Sequence, residues 1–308
     1  MADFKAAHAA SDAAARYGAY ASSAQPGLGS MPIATVTELY VYPVKSARAA
    51  ARSRVRVVAT GFEWDRQWMF IDGRGTFLSQ RTHPQLARIV PEVGHDALTL
   101  TAADLSPLRV PFSLQGECIA VQVHKDPCVG VDQGDEAAEW ASRAIGSAVR
   151  LVRVPPDPAR RANPRFTGSV VAPMGFADGF PILVCNEASL SELNARMPQA
   201  IPMERFRPNI VLSGLPAWAE DRIDALTIGG LSLRLVKPCT RCTVPSVDQR
   251  LGVFSTDPGP VLKQFRFDKG LLGVTFGENA VITAGAGGAI ERGALCQVAF
   301  DAGASSAS

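Results

Sequence analysis

The sequence predicts a β-dominated, mixed α+β protein with two β-rich domains and a few helices. Most apolar residues fall in short runs that alternate with polar residues, the period-two pattern of half-buried strands. Of the 308 residues, 47% are hydrophobic, which is enough for one large or two ordinary cores. The segment Pro155-Pro-Asp-Pro158 interrupts the chain near its middle and therefore predicts the domain boundary.

The first half is predicted to be a meander of short strands, in a barrel or a sandwich. Its first strand begins at Ile33, alternates branched or aromatic residues with polar ones, and ends at Pro43. Asp135 to Ile145 is the one clear helix there, because its apolar residues form a stripe. The other expected strands of this half are residues 55–59, 68–71, 98–100, 108–110 and 119–123.

The second half is predicted to contain more strands and one further well-marked helix. Asn186 is a suitable cap for a helix from Glu187 to Met197, and residues 261–265 form an amphipathic stretch. A strand at residues 151–154 ends the first half, and the expected strands of the second half are residues 180–184, 210–212, 225–228, 231–236, 273–276, 280–283 and 295–300. We divide the chain into a disordered leader (1–30), two domains (31–154 and 155–300) and a flexible tail (301–308).

Composition excludes some functions. The 31 Lys and Arg residues against 29 Asp and Glu give a net charge of only +2, far from the basic balance that sequence-independent nucleic-acid binding requires. No apolar run has the length of a membrane span. The six cysteines are scattered through a chain too large to need disulfides, so we expect reduced thiols and a cytoplasmic protein.

The reactive chemistry is concentrated in the segment from Lys237 to Asp248, which contains Cys239 and Cys242. Nearby cations such as Lys237 and Arg241 favour the thiolate, which is the form that attacks substrates and binds metals. The spacing allows a redox dithiol, but the first Cys of such a motif should open a helix, and Pro245 would break it.

Two metal interpretations of the same thiols remain open. A structural zinc site needs a second pair of ligands. The only candidates are His124 and Cys128, with Cys118 as an additional thiol, and they lack a tight knuckle spacing. Alternatively, one thiolate binds a softer metal centre while the other cysteine supports it.

A set of cations and amides suggests an anionic ligand. Lys45 and Ser46 follow the first strand, where loops typically carry binding groups. The segment from Glu204 to Asn209 adds two guanidiniums and an amide around a proline, which suits a carboxylate or a phosphate. Together with Arg66 and Arg241 they predict an anion site, although each string alone is more typical of a solvated loop.

Six strings occur in series over most of the chain and carry a family resemblance. They are Tyr40-Val-Tyr-Pro-Val-Lys-Ser46, Asp65-Arg66 with Trp68, Phe176-Ala-Asp-Gly-Phe-Pro181, Arg205-Phe-Arg-Pro-Asn-Ile210, Cys239-Thr-Arg-Cys-Thr243 with Val247-Asp248, and Phe276-Gly-Glu-Asn279. In content and order the chain resembles proteins with a molybdenum cofactor sulfurase C-terminal (MOSC) domain. Within that family it is most similar to the mitochondrial amidoxime-reducing components and their bacterial relatives.

The resemblance implies a fold and a cofactor. Residues 31–154 would form a MOSC N-terminal β-barrel domain and residues 155–300 the MOSC β-barrel. A molybdenum would be held by one pyranopterin dithiolene (molybdopterin) and by the thiolate of Cys242, with Cys239 as a supporting residue. The residues implied to hold the rest of the cofactor are Lys45, Ser46, Arg66, Cys185, Asn186, Arg207, Asn209 and Arg241. Cys185 and Asn186 stand where family members often carry hydroxyl residues.

The resemblance also implies a reaction. The protein would be a molybdenum oxidoreductase that removes oxygen from small N-hydroxylated substrates, with electrons from a separate electron-transfer protein. Asp248 would move protons, or it would only cap the turn before Gly252. The alternatives are a carrier of the cofactor or of sulfur, and a zinc-stabilised barrel without a redox role.

Overall fold

The computed structural model describes residues 33–301, so the predicted leader and all but the first residue of the predicted tail lie outside the described residues. Within these residues there are four α-helices: α1 (Asp135–Ile145), α2 (Pro164–Thr167), α3 (Glu187–Ala195) and α4 (Gly259–Phe265). The strands are β1 (Ile33–Val41), β2 (Ala50–Arg52), β3 (Arg54–Val58), β4 (Gly61–Phe62), β5 (Trp68–Ile71), β6 (Val90–Val93), β7 (Ala97–Thr101), β8 (Leu108–Pro111), β9 (Cys118–Val123), β10 (Asp126–Asp132), β11 (Arg150–Arg153), β12 (Ile182–Asn186), β13 (Ile210–Ser213), β14 (Ile223–Ile228), β15 (Leu231–Thr240), β16 (Val247–Asp248), β17 (Val253–Phe254), β18 (Phe267–Asp268), β19 (Gly273–Ala284), β20 (Ala289–Glu291) and β21 (Leu295–Phe300). Short 3-10 helices occupy Pro84–Arg88, Met203–Phe206, Ala219–Arg222 and Val244–Ser246.

Seven strands close into a barrel. Their order is β12, β13, β1, β21, β14, β15 and β19, and β19 pairs back onto β12. All neighbours are antiparallel except β12 and β13, which are parallel. The inward residues are apolar and completely buried, among them Val36, Leu212 and Leu233. Closure leaves none of these seven strands as a free edge.

The first strand of the chain belongs to this barrel. Leu39 pairs with Ile210 of β13, and Ile33 pairs with Gln297 of β21. β3 likewise pairs with β20. The domain boundary between residues 154 and 155 stays a prediction. In space, β1 and β3 from the first half pair with strands of the second half.

The rest of the first half is a second β-rich unit. A four-stranded antiparallel sheet has the order β5, β11, β10, β9, and β6, β7 and β8 form a three-stranded sheet. The apolar face of α1 packs between them, with Trp68, Leu98 and Ala141 completely buried in the shared core. The predicted β-dominated α+β class is therefore confirmed.

Element boundaries differ from the predictions in informative ways. The two strands expected at 273–276 and 280–283 are one continuous β19, although Gly277 has a left-handed φ of 73°. A Cβ at Gly277 would lie 2.6 Å from the Cys185 sulfur, so this close approach needs glycine. β15 extends to Thr240 because Thr240 pairs with Thr275 of β19. Among residues 33–301, no helix combines the length and the apolar character that membrane crossing demands.

Candidate active site

The end of β1 brings Lys45 and Ser46 to one end of the barrel. Lys45 is buried, and its Nζ donates to the Phe176 carbonyl oxygen at 2.9 Å and forms an ion pair with Asp178. Burial lowers the pKa of Lys45, and the Asp178 carboxylate opposes this effect. Ser46 donates its hydroxyl to the Leu78 carbonyl oxygen at 3.2 Å. The ammonium group therefore already faces an anionic partner.

Two guanidiniums lie against one aromatic ring, and we call Tyr42, Arg66 and Arg207 the arginine cluster. The guanidinium carbon of Arg66 lies 4.3 Å from the ring centroid of Tyr42, and that of Arg207 lies 4.2 Å from it. Tyr42 is completely buried and donates its hydroxyl to the Pro208 carbonyl oxygen. The ring face attracts both cations and fixes their positions relative to each other.

Asn209 acts within this cluster as a support. Its Oδ1 accepts hydrogen bonds from the backbone N–H of Leu183 at 3.1 Å and from Arg66 at 3.0 Å. Its Nδ2 donates to the Tyr40 carbonyl oxygen at 3.2 Å, and the residue is 1% exposed. Because the amide is committed to the protein, Asn209 orients Arg66. In this structure its role is to position Arg66, and its direct contact with the cofactor stays a prediction.

The two arginines of the cluster differ in their counter-ions. Arg66 forms an ion pair with the buried Asp65. Arg207 donates to the Ala47 carbonyl oxygen at 2.8 Å and, among residues 33–301, has no carboxylate within ion-pair distance. Burial lowers the pKa of Arg207 to about 10. A partly buried cation without a counter-ion is costly for the folded chain, and an anionic ligand would remove that cost.

The cysteine loop, residues 239–243, lies beside the arginine cluster. Arg241 donates to the Cys239 sulfur at 2.8 Å and also to the Phe206 carbonyl oxygen, next to Arg207 in the chain. Burial lowers the pKa of Arg241, but the thiols of Cys239, Cys185 and Cys242 together raise it above its ordinary value. Cys242 is exposed and has no hydrogen bond within the described part of the chain. The structure therefore presents one accessible thiol and one held by a guanidinium.

Backbone strain is concentrated at the same place. Ser46, Arg66 and Arg207 have left-handed φ values of 68°, 48° and 57°. Such values cost a non-glycine residue about 1 kcal/mol or more and tend to occur at ligand-binding sites. Eight non-glycine residues between 33 and 301 have positive φ, and three of them are predicted cofactor contacts.

Comparison with known proteins identifies the family. Residues 33–148 match the profile of the MOSC N-terminal beta barrel domain, and residues 172–294 match that of the MOSC domain. The chain is 34% identical over 245 residues to mitochondrial amidoxime-reducing component 1 of Homo sapiens, covering 76% of this chain and 72% of that one. This chain belongs to the MOSC family. The component 1 protein of Mus musculus is 32% identical over 244 residues, with the same coverage. In a crystal structure, the YuaD protein of Bacillus subtilis aligns with 87% of this MOSC protein and 97% of its own chain, at 12% identity and a TM-score of 0.39.

Two predicted cofactor contacts of this MOSC protein lie inside the fold. Cys185 is 0% exposed, and burial raises the pKa of its thiol well above its ordinary value. Asn186 is also 0% exposed: it caps α3 by accepting from the Ala188 N–H, and it donates to the Pro216 carbonyl oxygen and to Glu220. Neither side chain is presented to a ligand. In this structure Cys185 packs in the core and Asn186 caps α3, and their cofactor contacts stay predictions.

Asp248 caps the turn that follows β16. Its Oδ1 accepts from the backbone N–H groups of Arg250 and Leu251, both at 2.9 Å, and its Oδ2 accepts from Arg205 at 3.3 Å. The Leu251 N–H contributes most to lowering the pKa of Asp248, although partial burial opposes it. An aspartate held in the ionised form is a poor proton donor near neutral pH, so the geometry favours the turn-capping interpretation.

The structure gives no support to the other interpretations of the thiols. Within residues 33–301, no group of three or more His, Cys, Asp or Glu side chains is placed to hold a metal ion, whereas structural zinc needs four ligands. His124 contacts Asp178 instead. Cys239 lies in β15 and not at the start of a helix, as a thioredoxin-like motif would require.

Sequence reasoning missed several residues of the site. Tyr42 and Asp178 lie within quoted strings but had no predicted role, because neither residue type by itself indicates an arginine platform or a lysine partner. Glu220 and Glu278, whose carboxyl groups are buried at 0% and 3% exposure, were also missed. Each has one oxygen without a hydrogen-bond partner.

Glu220 makes a prediction about stability. Burial raises the pKa of Glu220 from 4.5 to about 7. Between these two pH values the folded chain therefore holds a proton that the unfolded chain releases. The free energy of unfolding should fall as pH rises from about 4.5 to about 7, by an amount on the order of 3 kcal/mol. Glu220→Gln should remove this part of the pH dependence. Urea unfolding at pH 5 to 8 measures it, with the exposed Glu139→Gln as the control. Parallel curves for wild type and Glu220→Gln would contradict the assignment.

Proposed function

We propose that this MOSC protein is a molybdenum-cofactor-dependent reductase of small N-hydroxylated compounds such as amidoximes and hydroxylamines. The observation that carries the proposal is the pairing of an exposed thiol, Cys242, with two guanidiniums, Arg207 and Arg241, that have no carboxylate partner among residues 33–301. A phosphate-bearing cofactor needs cations, and a soft metal centre suits a thiolate. Family membership and the names of the relatives agree with this donor set.

The donor set fits the cofactor in a defined way. Arg207 and Arg241, with Lys45 and Arg66 next to them, would hold the phosphate and the pterin, and Cys242 would be the protein ligand of the metal. When bound, the cofactor supplies a two-electron centre that can take up the oxygen of an N–OH group. Lys45 and Arg66 already have carboxylate partners, so the phosphate would mainly offset the charges of Arg207 and Arg241. Each charge-assisted hydrogen bond to a phosphate contributes about 1.5 to 3 kcal/mol.

The chain's own residues position these groups. The Tyr42 ring contacts the guanidiniums of both Arg66 and Arg207 and so helps to position them. Arg241 donates a hydrogen bond to the Cys239 sulfur. Cys242 is therefore the accessible thiol, and Cys239 has a supporting role. The net reaction consumes two electrons and two protons and releases water with the reduced nitrogen compound. The electrons would come from a separate electron-transfer protein, and the cytoplasmic location stays a prediction.

The direct test uses protein purified from cells supplied with molybdate. Reduced methyl viologen supplies the electrons, benzamidoxime is the substrate, and the appearance of benzamidine is followed by chromatography. We expect turnover that is absent without protein. A protein that contains molybdenum but gives no benzamidine would contradict the reductase and support the cofactor carrier.

Asp248 provides a second test of the mechanism. Because Asn can still accept the Arg250 and Leu251 N–H groups, Asp248→Asn should leave the shape of the pH–rate profile unchanged. Asp248→Ala loses these bonds and the contact with Arg205, and it should cost about 1 to 2 kcal/mol of stability. Viologen-driven rates between pH 5 and 9 and urea unfolding check both. A profile that shifts in Asp248→Asn would restore the predicted proton-transfer role.

A further inference from the structure

A hairpin near the cysteine loop exposes an apolar surface. β16 and β17 pair Val247 with Phe254, and the turn between them contains Gly252 with a left-handed φ of 66°. Leu251 is 65% exposed, Val253 49% and Phe254 52%. Three large apolar side chains in four consecutive positions therefore face solvent, and we call Leu251, Val253 and Phe254 the apolar tip.

The apolar tip is distinctive within the described part of the chain. The other exposed large apolar residues between 33 and 301 are single in the sequence: Ile33, Leu114, Val129, Val171, Phe267, Leu272 and Leu295. Single exposed apolar residues are normal, whereas a group of them rimmed by polar residues marks an interaction site.

Arginines surround the apolar tip. Arg250 is exposed on the hairpin itself. Arg88 packs against the turn, where a Cβ at Gly252 would lie 2.8 Å from its Cγ. Arg48 donates to the carbonyl oxygens of Gln249 at 2.9 Å and Arg250 at 3.2 Å. The rim is thus rich in guanidinium groups, and aromatic residues and arginine are the types enriched in protein interfaces.

The nearby carboxylates do not cancel this charge. Asp248 is committed to backbone N–H groups and to Arg205. Glu204 lines a cavity of about 160 Å³ together with Arg48 and Arg250. Its one negative charge offsets one of these two arginines, so the other and Arg88 remain as excess positive charges. The surface is therefore complementary to an acidic partner.

The hairpin is also close to the proposed metal ligand. Val247 follows Cys242 by five residues, a separation of about 18 Å at most, and the 3-10 helix Val244–Ser246 shortens it. Ser255 donates its backbone N–H to the Ser246 carbonyl oxygen at 2.7 Å, which holds the second strand of the hairpin against the same helix. A protein that docks on the apolar tip would therefore lie near the cysteine loop.

The proposed reaction requires such a protein. Each turnover consumes two electrons, and residues 33–301 hold no group of ligands for a second metal centre that could store them. Electron-transfer complexes are small and transient, with less than about 1,200 Å² of buried surface in total. A patch of three apolar residues with an arginine rim matches that class of interface.

We propose that the apolar tip and its arginine rim are the docking surface for a small acidic electron-transfer protein. This inference rests on the proposed function, and it predicts which of two surfaces the donor uses. The competing surface is at the other end of β1, where Leu295 is 63% exposed and Arg292 is also exposed.

The test measures binding first, because binding does not depend on turnover. The probe is a plant-type [2Fe–2S] ferredoxin, a small acidic electron carrier, titrated calorimetrically into the full chain at low salt. We expect Arg250→Glu and the double variant Leu251→Ser with Phe254→Ser each to weaken binding about tenfold or more. The control variants Arg292→Glu and Leu295→Ser, which make the same kinds of change at the competing surface, should bind like wild type. Higher salt should weaken wild-type binding.

Turnover then separates this inference from the proposed function. With reduced methyl viologen the hairpin variants should reduce benzamidoxime at the wild-type rate, whereas with reduced ferredoxin they should be slower by about the same factor as in binding. Equal ferredoxin binding by wild type and hairpin variants, loss of binding in Arg292→Glu instead, or no binding by wild type would overturn the docking surface. Absence of viologen-driven turnover in wild type would overturn the proposed function, whatever the binding results.

Discussion

Replacing Cys242 by serine should abolish the reduction of benzamidoxime, whereas replacing Cys239 should only reduce it. A serine hydroxyl is not ionised near neutral pH and is a hard ligand, so it cannot replace a thiolate on a soft metal. Cys239 is held by Arg241, and residues that support metal ligands typically affect activity about 10- to 100-fold. Viologen-driven rates of both variants measure the difference.

Cys239→Ser is the matched control for Cys242→Ser, because it makes the same chemical change three residues away. Unfolding curves of the two variants should show that both are folded. Equal losses of activity, or a larger loss in Cys239→Ser, would mean that the ligand has been assigned to the wrong thiol.

Arg207 and Arg66 should respond in opposite ways to replacement by methionine. Arg207→Met removes a partly buried cation that has no carboxylate partner, so the cofactor-free protein should become more stable, by about 1 kcal/mol. Arg66→Met leaves Asp65, which is 4% exposed, without its partner and should destabilise the cofactor-free protein by about 3 to 5 kcal/mol. Methionine retains an apolar stem against the Tyr42 ring in both variants.

Arg207→Met should weaken retention of the cofactor, although it stabilises the cofactor-free protein. If this guanidinium contacts the cofactor's phosphate, Arg207→Met loses about 1.5 to 3 kcal/mol of binding and retains less molybdenum after gel filtration. Urea unfolding of the cofactor-free proteins and metal content of the purified ones provide the two readings. An Arg207→Met protein that is destabilised but keeps its molybdenum would show that Arg207 is only structural.

The sequence predicted individual strands and helices better than it predicted which strands pair with each other. The alternation from Ile33 predicted β1 to within two residues of its observed end, and the apolar stripe predicted α1 with its observed limits. The strands that flank β1 were out of reach, because its pairs with β13 and β21 join residues more than 170 positions apart. Periodicity reports which face of a strand is buried, and it carries no information about the neighbouring strand.

The site shows the same limit. Lys45, Arg66, Arg207 and Arg241 were predicted from residue type and position. The structure places Arg66 and Arg207 against the Tyr42 ring and Arg241 at the Phe206 carbonyl oxygen, next to Arg207. Lys45 contacts Phe176 and Asp178 instead. Asn186 was carried over by position alone, yet its amide is consumed by the α3 cap. Whether a polar group is free for a ligand depends on its other hydrogen bonds, which only the folded chain determines.

The elemental content of the protein tests the central claim most directly. Wild type and Cys242→Ser, purified from molybdate-supplied cells, are analysed for molybdenum and zinc. The account predicts nearly stoichiometric molybdenum in the wild type and a loss of it on gel filtration in Cys242→Ser. Zinc in place of molybdenum, or molybdenum retained equally by both proteins, would contradict the assignment of Cys242 as the metal ligand.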